Sequence, residues 1–153
     1  MEDGASVWKL ACDSGVLEAN SCYAYLLLCT DFADTCLIVE RDRELLGFVV
    51  AYRPPSNPDS VFVWQIAIRD DARGQGLGQR LLGALVELPG CEGITALEAT
   101  VGRSNLASHR LFRAFARERG AGCEVTEGFT RAHFGSLAHE EEDRFRIGPL
   151  QKG

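Results

Sequence analysis

An apolar octet, V-F-V-W-Q-I-A-I over residues 61–68, runs into R-D-D-A-R-G-Q-G-L-G and then into a leucine-rich segment ending at residue 88. No other stretch constrains the fold as much. A nearly continuous apolar run suits a strand covered on both faces, which belongs inside a sheet flanked by helices. The residues from 75 to 88 are spaced as a helix and are stopped by Pro89-Gly90. Between them, Arg73-Gly74-Gln75-Gly76-Leu77-Gly78 lets backbone approach a ligand closely. Successive N–H groups and the helix N-terminus form a cradle for a pyrophosphate without metal. Arg73 adds a permanently charged donor fork.

The rest of the chain can be ordered around that unit. Asp3 is a cap candidate for a first helix carrying Val7, Trp8, Leu10 and Ala11 on its apolar positions. Asn20 or Ser21 is the cap of a second, with Cys22, Tyr25, Leu26 and Cys29 on one face. Residues 36–40 and 45–52 are expected to form a hairpin about the turn R-D-R-E. Residues 53–60 hold three of the five prolines and form a loop. After the glycine loop come a strand at 95–101, a helix at 105–119 with Leu111, Phe112 and Phe115 inward, and closing strands at 125–129 and 141–147. The expected fold is a single α/β (α+β) domain over 1–153, with a mixed central sheet and its ligand loop at a strand's C-terminal end.

Composition narrows the function classes. With 153 residues and 46% hydrophobic content, an ordinary core is available. A formal charge of −6 argues against a nucleic-acid binder, which needs a basic face. No apolar run is long enough to span a bilayer, and no secretory h-region is seen in this sequence. The six cysteines form no C-x-x-C pair, and His133 and His139 are not spaced as zinc ligands with any of them, so no metal is expected. The chain reads as cytoplasmic and reduced.

With these residues in view, the sequence resembles the GNAT superfamily of N-acetyltransferases. Arg73, Gly76 and Gly78 match its Gln/Arg-x-x-Gly-x-Gly/Ala motif for acetyl-CoA, and N-L-A-S-H-R-L-F from Asn105 resembles its N-x-x-A-x-x-L-Y helix. A narrower resemblance, to the L-2,4-diaminobutyrate acetyltransferases of ectoine synthesis, rests on N-S-C-Y-A-Y-L-L-L-C, D-F-A-D-T-C, F-V-W-Q-I-A and the H-E-E-E…R-I-G-P ending. The resemblance implies transfer of acetyl from acetyl-CoA to the γ-amine of diaminobutyrate and a homodimer built on the early helices or the closing strands. Two departures stand out. The edge strand that usually opens the fold has no counterpart before the first helix. The usual tyrosine of the second motif is Phe112, which has no proton to give a departing thiolate.

The chemistry requires a neutral amine, so a carboxylate must accept a proton from the ammonium. The resemblance points to the acidic ending, with Glu142 the first choice and Glu140 the second. A solvated acidic strand is the competing reading. In a regular strand Glu140 and Glu142 share one face while Glu141 aligns with Phe145 and Ile147, and the sequence does not say which face meets the cleft. For the acceptor, the resemblance nominates Glu18, Tyr23, Trp64 and His139. Tyr23 and Tyr25 differ by two and cannot both face inward on a helix. Trp64 is read as a pocket wall packing on the aliphatic amine. Ile66 and Ile68 are expected to offer main-chain groups to pantetheine, at a strand bulge that also aims an N–H at the thioester oxygen. Asn105 caps its helix, and by resemblance also meets coenzyme A. A GNAT enzyme acting on another small amine, a polyamine, an aminoglycoside or a peptide N-terminus is the nearest alternative. A non-catalytic acyl-CoA-binding sensor is the more distant one.

Overall fold

The computed structural model describes residues 2–18 and 20–151. Two helices come first, α1 (Gly4–Asp13) and α2 (Cys22–Asp31). An antiparallel run of β1 (Cys36–Arg41), β2 (Glu44–Tyr52) and β3 (Ser60–Ile68) follows. The chain continues through α3 (Leu77–Val86), β4 (Ala96–Gly102), α4 (Leu106–Glu118), β5 (Gly122–Glu127) and β6 (Glu142–Gly148). The strands form one mixed six-stranded sheet in the order β1-β2-β3-β4-β6-β5. Among the described residues no strand precedes α1, and β1 is an edge of the sheet.

Each face of the sheet buries its own core. On one side Val49, Val61, Val63, Leu97, Phe145 and Ile147 pack against Leu82 and Leu85 of α3 and Phe112 and Phe115 of α4. On the other, Phe48, Val50 and Ala67 meet Val7, Leu10 and Ala11 of α1 and Tyr25 of α2. Each fully buried large side chain contributes about 1.5–3 kcal/mol relative to exposure. This is why β3 reads as a nearly continuous apolar run, interrupted by Gln65: both of its faces are covered.

Several local expectations are revised. Asp3 stands at the first cap, but its backbone is itself helical, and its carbonyl rather than its side chain engages Val7 N (2.9 Å). Ser21, not Asn20, caps α2 through Ala24 N. The helix after the glycine loop begins at Leu77 rather than residue 75, because Gly76 adopts φ +73°, outside the helical region. The strand expected at 125–129 lies at Gly122–Glu127, where it pairs with β6.

Two irregularities shape the centre of the sheet. Val50 pairs with Gln65 and Ala51 with Val63, so Trp64 is the extra residue of a bulge in β3. The parallel pairing of β3 with β4 covers only Ser60–Val63 against Ala96–Ala99. Beyond it the two strands part. Among the described residues the β4-facing edge of β3 from Trp64 to Ile68 thus has no partner strand, and a cleft opens inside the sheet.

Candidate active site

Two adjoining cavities occupy that opening. The smaller, about 270 Å³, is walled by Ile66 and Ile68 of β3, by Arg73, Gly74, Gly76, Leu77, Gly78 and Gln79 of the loop and α3, and by Asn105 and Leu111. The larger, about 850 Å³, lies between the bulge of β3, β4, β6 and the segment after α1. Val16, Ile66, Asn105 and Ser108 line both, so the cavities communicate at the end of β4 where α4 begins.

The smaller cavity has the chemistry of a diphosphate cradle. Gly74 and Gly76 take φ +77° and +73°, and a Cβ on either would meet nothing within 4 Å, so the loop's inner side is open. Gly76 provides no side-chain cap to α3, leaving the first-turn N–H groups for a ligand. Gly78 does a different job. A Cβ there would stand 2.9 Å from Leu111 Cδ1, so the glycine lets α3 lie close to α4. Arg73 folds back, its Nε donating to Ile68 O (3.4 Å) and its Nη2 pairing with Asp70 (3.2 Å). Gln75 points elsewhere and accepts from Arg41 Nη2 at 3.3 Å. Gln79 donates to Leu111 O while its own buried Oε1 has no protein partner, an acceptor left at the cavity wall. These residues fit coenzyme A.

The larger cavity gathers the acidic ending. His139 stacks on Phe134 (centroids 3.8 Å apart, 17° between planes). Its Nδ1 donates to the Glu140 carbonyl at 2.6 Å. That leaves Nε2 facing Glu18 at 3.5 Å and Glu142 at 3.9 Å. Strand parity, open in the sequence, is resolved here. Glu142 stands opposite Gly102 in register and lines the cavity with Arg144. Glu141 and Asp143 take the other parity and both pair with Arg103. Glu140 lies just before β6, and its two oxygens accept from Ser104 N (3.1 Å) and Ser104 Oγ (2.7 Å). Of the two nominated bases, Glu142 has the less committed carboxylate.

The aromatic wall differs from expectation in one respect. Trp64 lines the cavity as expected. Beside it, at 5.7 Å between ring centroids, is Tyr25. Tyr25 is fully buried, and its hydroxyl donates to Gln65 Oε1 at 2.7 Å. Burial pushes this phenol above its ordinary value, so it remains a donor. Tyr23 is 67% exposed on the opposite side of α2 and does not line either cavity. The apolar character of α2 extends round the helix, which leaves no stripe to tell the tyrosines apart.

Asn105 caps α4, accepting from Ser108 N at 3.2 Å, and remains in the wall shared by both cavities. His109 is turned away, with Nε2 at 3.2 Å from Gly102 O and its ring edge-on to Phe145. Phe112 is buried against Phe145. Among the described residues no group of three or more His, Cys, Asp or Glu side chains is arranged to hold a metal ion.

Glu98 and Arg144 were not singled out in the sequence. Glu98, 2% exposed in mid-strand, binds Arg144 and Arg146 of β6 together with Ser60 and Asn57. Burial alone raises its pKa, but the hydrogen bonds from Arg144, Ser60 and Arg146 outweigh it and hold the carboxyl below the usual range. The signal was present in E-D-R-F-R-I, whose alternation puts Arg144 and Arg146 on the face of Glu142.

Known proteins resemble this chain in sequence and in fold. A family model described as the acetyltransferase (GNAT) family matches residues 5–116. An L-2,4-diaminobutyric acid acetyltransferase from Marinococcus halophilus is 46% identical, over 99% of this chain and 88% of its own. One from Streptomyces coelicolor is 44% identical, over 99% and 90%. The diaminobutyrate acetyltransferase of Paenibacillus lautus, solved with its substrate L-2,4-diaminobutyric acid and coenzyme A, superposes with a TM-score of 0.94. It is 40% identical, and the match covers 99% of this chain and 92% of that one. The relatedness runs through the acceptor side as well as the nucleotide loop, and the chain belongs to the GNAT acetyltransferase family, among its L-2,4-diaminobutyric acid acetyltransferases.

Proposed function

We infer that this protein transfers the acetyl group of acetyl-CoA to the γ-amine of L-2,4-diaminobutyrate, giving Nγ-acetyl-diaminobutyrate, a step toward ectoine. The observation that carries the reading is the meeting of the two cavities. A pyrophosphate cradle opens at Ile66, Asn105 and Ser108 into a chamber lined by Glu18, Glu142, His139 and Trp64.

Bound acetyl-CoA supplies an activated acyl carbon. The loop from Gly74 to Gly78 and the first turn of α3 hold its diphosphate by N–H groups, with Arg73 released from Asp70 to add charge. The unpartnered edge of β3 at Ile66 and Ile68 receives the pantetheine arm as a strand would, and the bulge at Trp64 leaves a backbone N–H for the carbonyl oxygen. An alkylammonium with a pKa near 10 is neutral in only about one molecule in a thousand at pH 7. Glu142 takes that proton, directly or through a water. The amine nitrogen then bonds to the acyl carbon as the carbon–sulfur bond breaks and the sulfur leaves as thiolate. The nitrogen gives up its second proton as the amide forms, and the thiolate takes that proton through water at the junction that Ser108 walls. Glu18 and the ring of Trp64 favour a cationic acceptor, and the Nε2 edge of His139 lies beside Glu18 and Glu142.

The proposal includes one domain spanning the chain, a homodimer and a cytoplasmic location. Tyr23 and Leu27, one turn apart and exposed on α2, support a protein contact there. Cysteines with no C-x-x-C pair fit a reducing compartment, and among the described residues no helix is long and apolar enough to cross a membrane.

The test is incubation with acetyl-CoA and L-2,4-diaminobutyrate, following thiol release and assigning the product by NMR. Thiol release with an Nγ-acetyl product is expected. A folded protein that binds coenzyme A yet releases no thiol with this amine defeats the reading.

A further inference from the structure

The acceptor chamber is acidic, yet one guanidinium looks into it. Arg144 is the single lysine or arginine lining the larger cavity among the described residues. It is held from behind by Glu98, which is almost wholly buried. The Glu98 Oε1 atom accepts from Asn57 Nδ2 (3.1 Å), Ser60 Oγ (3.0 Å) and Arg146 Nη1, while Oε2 accepts from Arg144 Nη2. One carboxylate and two guanidiniums leave a positive charge over. Arg146 has a further acceptor in Ser60 Oγ at 3.1 Å. Arg144 has no hydrogen-bond partner but Glu98 among the described residues, and its side chain is 44% exposed. Its fork carries further N–H donors, and the residue lines the cavity.

Position along the sheet gives this charge a meaning. Glu142 is in register with Gly102, beside the junction of the two cavities. Arg144 is in register with Thr100, two residues further from that junction along β6, or roughly 7 Å. We propose that Arg144 binds the α-carboxylate of the amino-acid acceptor and thereby determines that the γ-amine, not the α-amine, is acetylated. In 2,4-diaminobutyrate the α-amine sits on the carbon that bears the carboxylate. An acceptor anchored by its carboxylate at Arg144 holds that amine short of the junction and extends the γ-amine, two carbons further, to Glu142. The buried Glu98 fixes the fork's orientation, and a bidentate guanidinium–carboxylate pair is the geometry such a fork makes best. This inference rests on the proposed function.

The experiment compares wild type, R144Q and R144K on L-2,4-diaminobutyrate and on 1,3-diaminopropane, which keeps both amines and lacks the carboxylate. Coenzyme A binding by calorimetry monitors the folded state. For R144Q, kcat/KM on diaminobutyrate is expected to fall on the order of 100-fold, chiefly through KM. Its preference for diaminobutyrate over diaminopropane should collapse, with Nα-acetyl product appearing by NMR. R144K keeps the charge but not the fork and should fall between. An unchanged preference in R144Q, or an equal loss on both amines, overturns the role of Arg144 while leaving the proposed function intact. A wild type inactive on diaminobutyrate but active on another amine overturns both.

Discussion

The Tyr25 hydroxyl and the Gln65 side chain share a buried 2.7 Å hydrogen bond, and the same amide donates from Nε2 to the Glu18 carbonyl at 2.9 Å. One glutamine thus ties α2, the bulge of β3 and the segment after α1 into the wall of the acceptor chamber. Tyr25→Phe leaves Gln65 Oε1 buried without its donor, which costs about 1–3 kcal/mol. Urea denaturation should show that loss. The freed amide also loosens Glu18, so KM for the diamine should rise while coenzyme A affinity is kept. Equal weakening of both ligands would show that the pair serves general packing.

Glu142 and Glu140 separate by their partners. Among the described residues the Glu142 carboxylate reaches only the His139 ring, at 3.9 Å, whereas Glu140 is bound twice by Ser104. Glu142→Gln should lower kcat by about 10²- to 10⁴-fold with coenzyme A binding retained. Glu140→Gln keeps an acceptor for Ser104 and should cost less than about tenfold. If stopped-flow or steady-state rates fall as far in the second variant, Glu140 is the base.

Much of the donor side was legible because its determinants are local. An apolar octet needs cover on both faces, and glycines with open space beside them mark a ligand cradle. Even so, the start of α3 was placed two residues early, since the helical spacing of Gln75 says nothing of Gly76 adopting φ +73°. The acceptor side depends on long-range register. Only the Gly102–Glu142 pairing shows which parity of E-E-E-D-R faces the cavity. Only long-range contacts, with Arg144 and Arg146 reaching Glu98 from 46 and 48 residues away, make these residues more than isolated charges. Tyr23 and Tyr25 were indistinguishable because α2 is apolar around most of its circumference and shows no stripe.

The loop glycines should fail in different ways. Gly76→Ala adds a Cβ to a left-handed residue, at a strain of about 1–2 kcal/mol, and pushes a methyl group toward the ligand side. Coenzyme A affinity is expected to drop about tenfold or more, equivalent to roughly 1.4 kcal/mol, by calorimetry. Gly78→Ala instead drives its Cβ against Leu111 at 2.9 Å. Leu111 Cδ1 is a movable side-chain end, so coenzyme A affinity should fall less in this variant than in Gly76→Ala. An equal or greater loss in Gly78→Ala would show that the α3–α4 contact, not the loop, governs binding.

Two thiols are protected by burial. Desolvation raises Cys36 and Cys91 each to about 11, so near pH 8 only about one in a thousand is thiolate, whereas Cys12 is exposed. Mass spectrometry after iodoacetamide treatment at pH 8 should find Cys12 modified first, with Cys36 and Cys91 modified only on unfolding. Early alkylation of Cys91 in the native protein would contradict its burial between sheet and helix.

Acid sensitivity should trace to Glu98. Burial alone would raise its pKa, but Arg144, Ser60 and Arg146 together depress it below the unfolded value, near 4.3. The unfolded chain therefore binds the proton more readily than the native one. The stabilisation is fully present above the unfolded value and is lost as pH falls through the folded one. Wild-type stability in urea should accordingly decline below about pH 5. Glu98→Gln removes that titration and leaves two guanidiniums with no carboxylate between them. It should be less stable than wild type at pH 7, with the difference shrinking as pH falls. A variant that keeps the full wild-type acid slope would assign the effect to other carboxylates, and would detach Glu98 from the positioning of Arg144.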